Sequence, residues 1–269
     1  MKIYDCFIFN DEDLILDIRL NTLKEYVDYF VIIEFGETHQ GNRKKRKLNL
    51  KKFSYLKNKI KYFYFPKFNR NLSSWEKENF QRNLISVGIK DAKSTDIIMI
   101  SDVDEIPNLK NYNFRNIKNN VIAFNHTHYM YNLNLVRSYN WIGTKACTKK
   151  ILKSPQWLRS LKVHKKYGFF RLDKIISKTY YSKFKIIKNG GWHFGWIKKP
   201  TEIIRKINSY AHTEHNIPLF NDRSYIEKCI KKKISFLDNK EKLFIEKTKN
   251  LPSYIRQNLN IFKKWIIQK

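Results

Sequence analysis

Residues 97–107 read Ile-Ile-Met-Ile-Ser-Asp-Val-Asp-Glu-Ile-Pro, an apolar run followed almost at once by three carboxylates. Such a run, too short for a helix, suits a strand buried on both faces, and a chain holding one must cover both sides of its sheet. Carboxylates crowded at the strand's end repel one another unless a cation sits among them. In extended backbone the side chains at i and i+2 share a face, so Asp102 and Asp104 are expected to converge on one site. Carboxylate oxygens suit hard cations such as Mn2+ or Mg2+, which in turn bind the oxygens of a diphosphate. The competing reading is a polar turn in which Asp102 caps the next segment.

The residues before this segment alternate between strand and helix. Residues 2–9 read as a strand and 11–26 as an amphipathic helix with Leu14, Ile18 and Leu23 near one face. Residues 29–34 form a second buried strand, 60–65 a third stopped by Pro66, and 75–88 a helix. Apolar strands separated by helices predict a parallel sheet covered on both faces, with ligands at the carboxyl ends of its strands. Those ends carry Asn10 to Asp13, Glu34 to Gln40 and Ser101 to Glu105.

Beyond residue 107 the pattern is mixed. Residues 121–131 suggest a strand on which His126 and His128 share a face, one expected to turn to solvent. Residues 139–188 suggest short strands and turns. Residues 201–211 and 224–240 suggest helices, and 252–268 a final basic amphipathic helix. In Gly190-Gly191-Trp192-His193-Phe194-Gly195-Trp196 the glycines allow close backbone approach and Trp192 offers a stacking surface. His193 is a third metal ligand or, equally, a satisfied core histidine. His212-Thr213-Glu214-His215 matches no zinc spacing. With no repeat and no flexible linker, one domain is expected: a nucleotide-sugar half over 1–107, an acceptor and metal-completing half over 108–220, and terminal helices over 221–269.

The net charge of +30 raises nucleic acid as a partner, but 42 of the 54 basic residues are lysine, whereas base-edge readout leans on arginine. A codon bias toward Lys, Asn, Ile, Tyr and Phe accounts for much of the charge, with attraction to anionic membrane or anionic glycan as a second source. Three scattered cysteines suit a reducing compartment rather than a disulfide framework. With no leader pattern and no apolar run of spanning length, a cytoplasmic location is expected, at most peripheral on the inner membrane face.

In order along nearly the whole chain, the sequence resembles glycosyltransferase family 17. The resemblance is carried by Ile3 to Phe7, Val27 to Glu34, Thr38 and Gly41, Trp75-Glu76, Phe80 to Asn83 and Ser101 to Pro107. It continues through Trp141 to Ala146, Ser154 to Gln156, Gly191 to Phe194, His212 to Glu214 and Leu251 to Tyr254. It implies a GT-A-type, Rossmann-like α/β fold, mostly parallel and flanked by helices, with a mixed second half and C-terminal helices. It also implies a UDP-sugar donor, UDP-GlcNAc in characterised members, inversion at the anomeric carbon, a glycan acceptor and a Mn2+-type metal.

Carried over, Asp104 coordinates the cation, Asp102 contacts ribose or shares the metal, and His193 is the downstream ligand. Phe7, Glu34, Thr38, Arg82, Asn83 and Trp192 fall in the nucleotide-sugar site. Gly195 departs from the pattern, standing where Ser or Thr is expected. A carboxylate facing the acceptor hydroxyl acts as base, Glu214 first and Glu105 second. Two readings from other classes stand beside this one: a basic nucleic-acid-binding protein, and a catalytically silent glycan-binding module.

Overall fold

The computed structural model describes residues 1–268 apart from 45–46, 70, 111, 118–119 and 163–183. Four apolar segments form the parallel half of the sheet: β1 (Ile3–Phe9), β2 (Tyr29–Phe35), β3 (Ile60–Phe65) and β4 (Ile97–Asp102). They lie in the order β3-β2-β1-β4. From Tyr4 to Ile8 each β1 residue pairs in parallel register with both neighbours, as Cys6 does with Val31 and with Ile100. The side chains of β1, β2 and β4 are almost all buried, as their unbroken apolar runs require.

The sheet continues through the second half of the chain. β5 is Glu105–Pro107, β6 Val121–Met130, β7 Leu135–Thr148, β8 Phe184–Gly195 and β9 Phe244–Ile245. β7 runs antiparallel to β4 and to β6, β8 lies parallel to β6, and β5 closes the far edge against β8. Among the described residues, therefore, one nine-stranded mixed sheet takes strands from both halves of the chain. This is the α/β architecture expected, parallel in its first half and mixed in its second.

Helices cover the two faces. α1 (Asp13–Leu23) buries Ile15, Leu16, Ile18, Leu20 and Leu23 in one core cluster. α2 (Ser74–Asn83) starts at a capping box in which Ser73 and Glu76 each satisfy the other's backbone N–H. α3 (Ile85–Gly88) follows, where one longer helix was expected, and α4 (Pro155–Ser160) packs near α2. Cys6, Cys147 and Cys229 are buried and unpaired, packed as small apolar groups.

Five expectations are corrected. The helix expected at 201–211 is Pro200–Ile207, and the one expected at 224–240 is Arg223–Lys232, stopped by Lys233 in the left-handed region at φ 52°. The terminal segment is not one amphipathic helix. Ser253–Gln257, Leu259–Phe262 and Lys263–Trp265 are short turns of helix that fold back on the core, burying Ile255 and Phe262. The short strands expected over 139–188 are, where described, one fourteen-residue strand β7 and the start of β8; residues 163–183 lie outside the described residues. Last, His126 and His128 do not face solvent, for β7 and β8 flank β6 and leave them 0% and 3% exposed. No helix among the described residues is long and apolar enough to cross a membrane.

Candidate active site

β4 delivers the acidic segment to the carboxyl edge of the parallel strands, the rim at which open α/β sheets bind ligands. Only Asp102 belongs to the strand. Val103 and Asp104 form a tight turn before β5, so the alternation argument that placed the two aspartates on one face does not hold. The turn is fastened from beneath by Arg19 of α1, which donates to the carbonyls of Asp102, Val103 and Glu105 at 2.9, 3.2 and 2.9 Å.

The two aspartates meet different partners. Asp102 Oδ1 accepts from Arg82 at 2.9 Å and Oδ2 from Arg159 at 2.6 Å, so each oxygen already faces a guanidinium. Burial pushes its carboxyl up, but Arg159 and Arg82 outweigh burial and hold it well below the usual carboxylate range. Asp104 Oδ1 lies 3.6 Å from His193 Nε2, and Oδ2 lies 3.2 Å from Lys206 Nζ. Both aspartates line a cavity of about 490 Å3 that is open to solvent and shared with His128, Trp141, His193 and His212.

Lys206 comes from the helix Pro200–Ile207. It sits between Asp104 and Glu12, whose Oε1 is 3.7 Å away, and lies 5.3 Å from the ring centre of Trp196. Burial alone would lower its pKa; Asp104 and Glu12 outweigh that and raise it, so it stays a cation.

Behind Asp104 stands a set of buried rings. His128 and His193 stack at 4.2 Å between centroids, and Trp141 lies 4.4 Å from His193. Among the described residues neither ring nitrogen of His126 has a partner, and neither has Nε2 of His128 nor Nδ1 of His193. Burial depresses all three imidazoles, His126 to about 3. The departure at Gly195 has its explanation in this stack: a Cβ at this position would lie 2.8 Å from His128 Nε2 and 3.1 Å from His193 Nε2. A Ser or Thr here would therefore require the stacked rings to shift.

His126 makes stability depend on pH. The unfolded chain takes up imidazole protons near pH 6.5, whereas buried His126 refuses its proton until about 3. Between those values the unfolded state binds more protons, so stability falls as pH drops through that window. Urea midpoints at pH 7, 5 and 4 should decrease in that order, and more gently in His126→Gln; a flat profile would refute the neutral buried imidazole.

The remaining expected site residues divide into those at the cavity and those away from it. Thr38 lines the cavity, and Arg82 reaches it through Asp102. Phe7 is buried beneath the Arg19 guanidinium, 4.4 Å from its ring centre. Glu34 is fully buried and braces the loop after β2, accepting from Lys44 at 2.6 Å, Tyr62 at 2.7 Å and the Leu48 amide at 3.0 Å. Asn83 accepts from the Gln156 amide, tying α2 to α4.

Trp192 points to the opposite face of the sheet from His193, its strand neighbour. Glu105 is inside the protein and takes hydrogen bonds from Trp141 Nε1, Arg159 and the Asp102 amide, which makes it a strut rather than a base open to an acceptor. Glu214 lies outside the cavity wall, more than half exposed, and its Oε1 is 2.6 Å from Nδ1 of His212, which does line the cavity.

Sequence reasoning missed Arg19, Arg159 and Lys206, which act with Arg82 on the acidic turn. Arg19 alone had a readable signal, a charge inside the apolar stretch of α1. Among the described residues no three His, Cys, Asp or Glu side chains are grouped to hold a metal ion by themselves.

The family model of glycosyltransferase family 17 matches residues 1–247. No curated protein matches the chain. The match covers nearly the whole sequence, so the chain belongs to glycosyltransferase family 17 and is a glycosyltransferase, with a sugar donor and a glycan acceptor.

Proposed function

We propose that this family 17 glycosyltransferase transfers N-acetylglucosamine from UDP-GlcNAc to a glycan acceptor, with inversion and with the help of Mn2+ or Mg2+. The observation that carries the reading is Asp104, in the turn after β4, presenting its carboxylate to an open cavity between an imidazole and an ammonium group. The donor sugar itself rests on the family resemblance.

Asp104 and His193 fit a hard cation shared with substrate. Such cations are held by one or two protein ligands, with the other positions filled by phosphate oxygens and water. The 3.6 Å gap between Asp104 Oδ1 and His193 Nε2 suits two ligands of one ion. Asp102, with both oxygens bound to arginines, is left out of the ligand set. When bound, the ion would stabilise the charge that builds on the departing diphosphate.

The chain's own groups supply the rest. Lys206 stays charged within reach of Asp104 and gives a second positive centre for the leaving group. Arg82 and Arg159 clamp Asp102, so that the turn carrying Asp104 keeps its shape. Phe35, Thr38 and His39, at and beyond the end of β2, line the same cavity and offer room for a nucleoside beside the diphosphate. On the remaining wall His212 is the base that takes the acceptor proton, held by Glu214 as a carboxylate orients a catalytic imidazole.

Glu214→Gln is therefore expected to lower kcat by about 10- to 100-fold, with the Kd for UDP unchanged. Loss of UDP binding instead would show that this pair serves the donor. The function as a whole is tested by UDP release from a panel of UDP-, GDP- and CMP-sugars, with and without Mn2+, alongside thermal shift. UDP with Mn2+ should raise Tm more than either alone, since native-state binding adds stability. Equal responses to all three nucleotides, or none to Mn2+, would overturn the assignment.

A further inference from the structure

β8 presents chemistry on both faces. His193 and Gly195 look into the cavity described above; Trp192 and Asn189 look the other way, into a second cavity of about 430 Å3. Its walls come from β6 to β8, from the end of α1 and from residues 246–256. The walls are fixed. Trp192 Nε1 donates to the Asn250 carbonyl at 2.7 Å, Asn250 Nδ2 donates to Glu246 Oε1 at 2.9 Å, and the Tyr129 hydroxyl donates to Glu246 Oε2. Gly191 lets β8 pass close beneath, for at φ 149° any Cβ would lie 2.2 Å from the Ile106 carbonyl oxygen.

We infer that this second cavity binds a saccharide carrying an acidic group, as a holding site for the acceptor glycan away from the reacting hydroxyl. Tyr26, Tyr139 and Trp192 offer aromatic faces to the C–H face of a sugar ring, and two of them are unusually open, at 38% and 60% exposure for Tyr26 and Tyr139. The amides of Asn108, Asn189 and Asn250 can each donate and accept, which suits hydroxyl groups.

Lys110, Lys249 and Arg256 add three cations, against one carboxylate, Glu246, whose oxygens already accept from Tyr129 and Asn250. A neutral sugar would leave that charge unmatched, and an acidic one complements it. A single-stranded nucleic acid also stacks on aromatics beside cations, but it needs a groove that tracks several nucleotides rather than a cavity of this size. Saccharide binding stands without the proposed UDP chemistry; only its service to the acceptor rests on that reading.

The test uses the full chain, with a hyaluronan tetrasaccharide as the acidic probe, chitotetraose as its uncharged counterpart and a uridine-rich RNA hexamer. Calorimetry and ligand-observed NMR should find the acidic tetrasaccharide bound at least about tenfold more tightly than chitotetraose, and undiminished by UDP with Mn2+. Tyr139→Ala and Lys249→Ala should each weaken it by about fivefold or more, with Tm and acceptor-free UDP-GlcNAc hydrolysis unchanged. Four results would overturn the inference: no binding, equal affinity for both tetrasaccharides, displacement by UDP, or preference for RNA. Failure of UDP-GlcNAc hydrolysis with saccharide binding intact would count against the proposed reaction and not against this cavity.

Discussion

Asp104→Asn is expected to lower UDP-sugar turnover by about 1000-fold or more, the scale on which removing a preorganised charge at a leaving group acts. The substitution keeps the side chain's shape and removes the charge that faces His193 and Lys206. Lys206 retains Glu12 at 3.7 Å, so the fold should survive with Tm nearly unchanged. Mn2+ affinity, read by paramagnetic broadening of bound water, should fall with turnover, because the variant withdraws a ligand rather than a surface contact.

Asp102→Asn offers the contrast. It leaves Arg82 and Arg159 facing an uncharged partner, and its effect reaches the reaction only through the shape of the turn. A loss of about 10- to 100-fold is expected, with Mn2+ affinity retained, as for residues that orient a ligand rather than act as one. Activity of Asp104→Asn within tenfold of the parent would remove the foundation of the proposed mechanism.

The parallel half of the sheet was legible because buried strands announce themselves by unbroken apolar runs of strand length. Residues 2–9 differ from β1 by one position, and the acidic segment falls at the sheet's ligand-binding edge as expected. What could not be read is what arrives from far along the chain. Asp102 meets Arg159 across 57 positions and Asp104 meets Lys206 across 102, and no local period encodes such pairings. The position of the two aspartates at the sheet's rim was therefore legible, but not the different partners each one meets.

The same gap explains the histidines. His126 and His128 alternate on a strand as solvent-facing residues do, and only the flanking strands β7 and β8 decide that they are buried. The terminal segment misled for the opposite reason, since its apolar spacing is helical while its backbone breaks at Asn258 to lay Ile255 and Phe262 on the core. The Trp192–His193 pair shows how one strand splits a motif, sending adjacent residues of a single signature into separate cavities.

Arg19→Met should cost about 3–5 kcal/mol of stability, the range found when one member of a buried ion pair is removed. Arg19 is fully buried, and its guanidinium grips both oxygens of Asp5, at 2.6 and 2.8 Å. It also donates to Ser101 Oγ and to three carbonyls of the acidic turn. Methionine would fill much of the volume but leave Asp5 charged in the interior and the turn's carbonyls without the guanidinium, though that of Glu105 keeps Thr144 Oγ1 at 3.0 Å. For a chain of this length the loss should appear as a Tm lower by roughly 10 °C.

The double variant Asp5→Leu with Arg19→Met separates the two effects. Replacing both charges by apolar groups removes the stranded carboxylate, which should restore part of the stability. The turn's carbonyls would still lack the guanidinium, so turnover should remain low even where Tm recovers. An Arg19→Met protein that melts within about 2 °C of the parent would mean that the guanidinium is dispensable to the fold. Recovery of full turnover in the double variant would mean that Arg19 serves Asp5 alone, and that the turn bearing Asp104 keeps its form without it.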